Sequence, residues 1–158
     1  MADTVPMTAA GKKKLDALLG EMEGRRPAIL EKIGEARAKG DLSENAEYHA
    51  AREALGVLEA RIAELRDKLA RAQVVDPRRA PKDRVAFGAK VTVLNLDVDR
   101  EETYELVGAG EDDVEANRIL TTSPVAQGLM LKKVGDDAEV AVPSGTVRYR
   151  IVRIAYPR

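Results

Sequence analysis

The 158-residue chain has no cysteine, no tryptophan and a single histidine, His49. Without cysteine there is neither a disulfide framework nor a thiolate-ligated zinc site, and one histidine is too little for an imidazole-based metal centre. Aromatic residues are scarce, and Phe87, Tyr104, Tyr149 and Tyr156 are the only ones in the C-terminal half. An excess of one charge sign is lacking as well. Charged residues make up 34% of the chain, yet the formal net charge is -1. Residues 1–75 hold 13 Lys/Arg against 13 Asp/Glu, and residues 76–158 hold 13 against 14. That balance argues against tight binding to bare duplex through many phosphate contacts, although a local basic stripe is compatible with it. No apolar run approaches the length of a membrane-spanning helix, and the N-terminus has no signal-peptide core. A soluble cytoplasmic protein without membrane association is expected. Neither a nucleophile–base pair nor a glycine-rich phosphate loop stands out in the sequence.

What the chain does have is heptad order. From Tyr48 the apolar or small residues fall at Tyr48, Ala51, Leu55, Leu58, Ile62, Leu65, Leu69 and Ala72. Alternating steps of three and four make the seam of a coiled coil. Upstream, Leu15, Met22, Ile29 and Ala36 lie seven apart, with Leu18, Leu19 and Ile33 beside them and Arg25 and Lys32 at the alternate seam positions. Pro27 removes one intrahelical bond, and a kink near Gly24–Pro27 is expected rather than a break. Two such stripes joined by a short polar loop predict an antiparallel αα-hairpin. The second helix would be roughly 45 Å long. A seam consumed within the hairpin favours a monomer.

The pattern changes at Asp76-Pro77-Arg78-Arg79-Ala80-Pro81-Lys82-Asp83, where prolines and charges without apolar period mark a linker. Beyond it the period is two. Strands are expected over 90–96 and 103–107, separated by a turn at 97–100, and a last hairpin pairs 139–142 with 147–154. Ser123-Pro124 reads as a helix start, with serine as cap and proline at the first helical position. The predicted architecture is α+β in two domains: a coiled-coil hairpin over 1–75, a linker over 76–84, and a small antiparallel β-sheet domain with a short helix over 85–158.

Between the two helices lies Gly40-Asp41-Leu42-Ser43-Glu44-Asn45-Ala46-Glu47-Tyr48, with three carboxylates and no base. Part of this has a local explanation. Asp41 and Glu44 have the spacing of a capping box, Ser43 could serve as the cap instead, and acids suit a first helical turn. Glu47 reads as helix-surface charge that adds to the local negative potential, and His49 as a surface histidine. The alternative is functional. Two exposed carboxylates are too few to hold magnesium alone, but they could complete a site that lies in a partner.

The stretch from Glu35 to Glu53, which contains Gly40-Asp41-Leu42-Ser43-Glu44-Asn45, closely resembles the hairpin tip of the bacterial Gre family of transcript-cleavage (transcription elongation) factors. Phe87-Gly88-Ala89-Lys90-Val91-Thr92-Val93-Leu94-Asn95-Leu96-Asp97 resembles the opening of that family's C-terminal domain, and Thr122-Ser123-Pro124-Val125-Ala126 and Val134-Gly135-Asp136 resemble its later signatures. The resemblance implies an FKBP-like C-terminal domain that docks on bacterial RNA polymerase. It also implies a coiled coil that enters the polymerase secondary channel toward the extruded RNA 3′ end of a backtracked complex. Asp41 and Glu44 match the acidic pair that assists the polymerase's second magnesium ion, so no cofactor of the chain's own is expected. Asn45 and Tyr48, with Ser43, match positions that shape the tip, and heptad packing explains Tyr48 equally. Arg37 and Arg52, on opposite helices, match the family's contacts to extruded RNA. Without the match, either arginine reads as a solvated residue or an interhelical ion pair. The aromatic-poor C-terminal half gives no reason to carry prolyl isomerase activity over with the fold. Two competing readings are a family member that only blocks the channel and a coiled-coil chaperone. The preserved acidic pair favours cleavage over the first, and a tip with only Leu42 among acids disfavours the second.

Overall fold

The computed structural model describes residues 3–41 and 45–157. Its contacts divide the chain into two units. One comprises residues 13–72 with 3–4, and the other comprises Val5–Lys12 with residues 73–157.

The first unit is built from α1 (Ala9–Ala38, from Lys13 onward) and α2 (Ala46–Ala70). The heptad arithmetic is realised in burial. Leu15, Ile33 and Ala36 of α1 are buried, as are Leu58, Ile62 and Leu65 of α2; the other apolar or small seam residues are half-buried, and Arg25 and Lys32 are exposed. Ion pairs report the direction of packing. Glu23 meets Arg66 at 2.6 Å, Arg26 meets Glu59 at 3.7 Å, and Lys39 meets Glu47 at 3.0 Å. Each step up α1 is a step down α2, which makes the hairpin antiparallel. Arg25, at a seam position by count, is exposed and pairs with Glu21 of its own helix. α1 runs through Pro27 without a break. The proline is exposed and has no N–H to offer the carbonyl one turn earlier.

The second unit centres on a five-stranded sheet ordered β5-β4-β3-β7-β6. Its strands are β3 (Lys90–Asn95), β4 (Arg100–Val107), β5 (Arg118–Leu120), β6 (Asp137–Val142) and β7 (Gly145–Ala155). Alternation drives the long strands. Val91 and Val93 of β3, Leu106 of β4, Val140 of β6 and Tyr149 and Ile151 of β7 point into one core. The short helix α3 (Pro124–Leu129) closes that core with Ala126 and Leu129, and Ser123 caps it through the Ala126 N–H. A register shift between Thr92 and Val93 leaves Val152 of β7 without a counterpart on β3.

Three features differ from the sequence reading. β5 pairs in parallel with β4, so the sheet is mixed rather than wholly antiparallel. Residues Val5–Lys12 and 73–75, read with the hairpin, count with the second unit. There β1 (Val5–Met7) pairs with β2 (Ala72–Val74), the Val75 N–H donates to the Met7 carbonyl, and Met7 is fully buried. The stretch read as a linker is also built in. Asp76 caps a 3-10 helix at Pro77–Arg79, and Pro77 packs against Gly88. Gly88 has φ +89, and a Cβ there would lie 2.4 Å from the Pro77 Cβ, so the contact requires glycine. Among the described residues no helix is long and apolar enough to cross a membrane.

Candidate functional site

At the end of the hairpin, Gly40 stops α1. Its φ of +125 is open to glycine, and it follows the helix where a glycine commonly ends one. Asp41 comes next and is exposed. Leu42, Ser43 and Glu44 lie outside the described residues. The chain returns at Asn45, and this residue, not Asp41 or Ser43, caps α2. Its Oδ1 accepts from the Tyr48 N–H at 3.1 Å, while its Nδ2 donates to the Ala36 carbonyl at 2.6 Å. One side chain thus satisfies an orphan donor at the start of α2 and ties that helix to a carbonyl in the last turn of α1, which also accepts from the Lys39 N–H at 3.1 Å. The cap position that the capping-box reading gave to Asp41 is taken by Asn45, because α2 begins at Ala46; Ser43, the alternative cap, and Glu44, the other half of the box, lie outside the described residues.

Glu47 does not add unbalanced negative charge. It binds Lys39, whose ammonium is held above its ordinary pKa by that carboxylate. Lys39, Asp41, Asn45, Ala46 and Glu47 line a shallow depression.

Arg37 and Arg52 are brought together by Tyr48. The guanidinium carbons lie 5.9 Å and 5.8 Å from its ring centroid, and Arg52 Nη1 donates to its hydroxyl at 3.1 Å. Bonding to Arg37 first, and to Arg52, pulls the phenol pKa below its ordinary value. The interhelical ion pair that either arginine could have formed is not what the structure has. Among the described residues neither has a carboxylate partner. His49 stands edge-on to the Tyr48 ring at 5.6 Å and is otherwise exposed. The i,i+4 spacing of Tyr48 and Arg52 could have signalled half of this cluster; Arg37 enters only through helix pairing.

In the second unit, Phe87 lines a cavity of about 360 Å³ whose walls also carry Asp76, Arg78, Glu105, Glu111 and Arg118. Its charges answer one another: Arg118 lies 3.5 Å from Glu105 and 3.6 Å from Glu111, and Thr8 donates to Glu111.

Residues 5–74 match the family "Transcription elongation factor, N-terminal", and residues 80–156 match "Transcription elongation factor, GreA/GreB, C-term". The chain belongs to the GreA/GreB family. It is 49% identical over 153 residues to Transcription elongation factor GreA of Maricaulis maris, covering 96% of this chain and 98% of that one. It is 48% identical over 157 residues to the protein of that name from Thermodesulfovibrio yellowstonii, covering 99% of both. Among solved structures, the GreA factor homolog 1 (Gfh1) protein of Thermus thermophilus is 24% identical with a TM-score of 0.45, covering 96% of this chain and 99% of that one. In this GreA/GreB-family chain both family domains are therefore present in order, with the acidic loop inside the first.

Proposed function

We propose that this transcription elongation factor stimulates RNA polymerase to hydrolyse the extruded 3′ end of the transcript in backtracked complexes, and that it is no enzyme alone. The observation that carries this reading is family membership across both domains. The hairpin would enter the secondary channel while the second unit docks on the polymerase.

The tip's part is to present carboxylate oxygens. Among the described residues no three His, Asp or Glu side chains cluster as a metal site. Asp41 is exposed, and Glu47 is engaged by Lys39. Such a donor set fits an ion held chiefly by another protein, and carboxylate oxygens suit magnesium. Asp41 and Glu44 would share that ion with the polymerase; when bound, it activates water and offsets charge on the phosphodiester. Asn45 would keep the loop ends joined, with Ser43 and Tyr48 helping to shape the tip. Arg37 and Arg52 would contact the extruded RNA.

The test is transcript cleavage in a stalled, backtracked elongation complex. Wild-type protein should accelerate cleavage, and no cleavage should occur without polymerase. Asp41→Asn should lower the stimulated rate by on the order of 100-fold, the scale of removing one preorganised charge-stabilising group. Because Asn45 caps α2, this change should leave the helix intact. An Asp41→Asn protein as active as wild type would overturn the role given to the tip.

A further inference from the structure

Tyr48 is at once the first residue of the α2 seam and the neighbour of two arginines. Packing accounts for a half-buried aromatic. It does not account for the convergence of two guanidiniums, one from each helix, on a single phenol. Like charges brought together repel unless something of opposite polarity lies between them. Elsewhere in the hairpin that group is a carboxylate, as with Lys39 and Glu47 one turn away, Arg66 and Glu23, and Arg26 and Glu59. Here it is the negative face of an aromatic ring and a phenol oxygen.

The difference matters for what can bind. A carboxylate cancels the cation that it orients, whereas a neutral ring orients the cation and leaves its charge available. Arg52 commits Nη1 to the hydroxyl, which leaves the rest of its planar donor fork open, and a fork of that kind matches phosphate oxygens. We propose that Tyr48 is the positioning residue of the RNA contact: it holds Arg37 and Arg52 as one cationic pair for a backbone phosphate of the extruded transcript. The inference rests on the cleavage-factor reading above for the identity of the anion. The arrangement of ring and arginines does not depend on it.

Two measurements test this. The first uses the free protein and the ultraviolet absorbance of tyrosinate. Tyr48 ionises below the ordinary tyrosine value because of Arg37 and Arg52, whereas burial raises Tyr104, Tyr149 and Tyr156. One early-titrating tyrosine should be seen, absent in Tyr48→Phe and moved upward by Arg37→Ala and by Arg52→Ala. If neither arginine variant moves it, the cluster does not exist in solution and the proposal is overturned, whatever the protein does to polymerase.

The second is cleavage in the backtracked complex. Tyr48→Leu should lower the stimulated rate by about 5- to 30-fold, the equivalent of two exposed cation–π contacts. Tyr48→Phe, which keeps the ring, should recover most of that loss. Adding Tyr48→Leu to the Arg37→Ala/Arg52→Ala background should cost little more, because the ring then has nothing to position. Full activity of Tyr48→Leu, equal loss in Tyr48→Phe, or a full further loss in the triple variant would each overturn the proposal. If Tyr48→Leu does not fold, the arginine variants and the tyrosinate titration still decide it. A wild-type protein that fails to stimulate cleavage would refute the functional reading instead, a result distinct from loss of the titration signature.

Discussion

Four arginines of the sheet unit and the two at the end of the hairpin are anchored by different means. In the sheet unit Arg150 is held by Asp137 at 2.8 Å, Arg148 faces Asp97, Arg84 pairs with Asp83, and Arg118 lies between Glu105 and Glu111. Each of these four arginines is spent on a carboxylate. At the end of the hairpin Arg37 and Arg52 are fixed by a ring that leaves them charged. The nearly neutral total charge conceals this contrast. A balanced chain can still keep positive charge that is ordered but not cancelled, as Lys82 over the Tyr156 ring at 4.8 Å does in the sheet unit, because ordering and neutralisation are separable when the partner is aromatic.

The contrast can be broken or sharpened by substitution. The largest effect on stability should come from the core that supports the sheet unit. Leu129→Ala empties a fully buried site and should cost about 2–5 kcal/mol in denaturant unfolding. Arginine pairing should survive in whatever remains folded. Asn45→Ala comes next. It removes a cap and a tie to the Ala36 carbonyl and should cost about 0.5–2 kcal/mol in thermal or urea melts. It should also reduce stimulated cleavage, since Arg37 and Tyr48 are positioned by the helix ends that Asn45 joins. The smallest stability changes should come from single arginines. Arg150→Ala and Arg52→Ala should both leave the unfolding midpoint close to wild type, because exposed pairs contribute little. Only Arg52→Ala should slow transcript cleavage. Equal functional losses from the two would erase the distinction between spent and available cations.

Much of the hairpin was legible from residue spacing, since a seam repeating at three and four leaves one way to bury Leu58, Ile62 and Leu65. The long strands were legible for the same reason at period two. The loop ends were not. Asp41, Ser43 and Asn45 all have cap chemistry, and the choice is made by the Asn45–Ala36 bond, which exists only once both helices are in place. β1, β2 and β5 have three residues each, too few for alternation to show. The parallel register of β5 depends on the path of residues 108–117, which no local pattern encodes. The segment around Pro77 reads as linker until Gly88 is seen to receive it. For the candidate site, sequence resemblance named the residues, but the spatial convergence on Tyr48 required the fold.

Pro27 has a mechanical consequence. A helix that loses one rung of its hydrogen-bond ladder is most compliant at that rung, and α1 loses one where the proline follows Gly24. The two cross-helix ion pairs nearest to it, Glu23–Arg66 and Arg26–Glu59, lie just before the proline and act as ties between the rods. α1 is thereby braced against its partner helix beside the place where its own ladder is weakest.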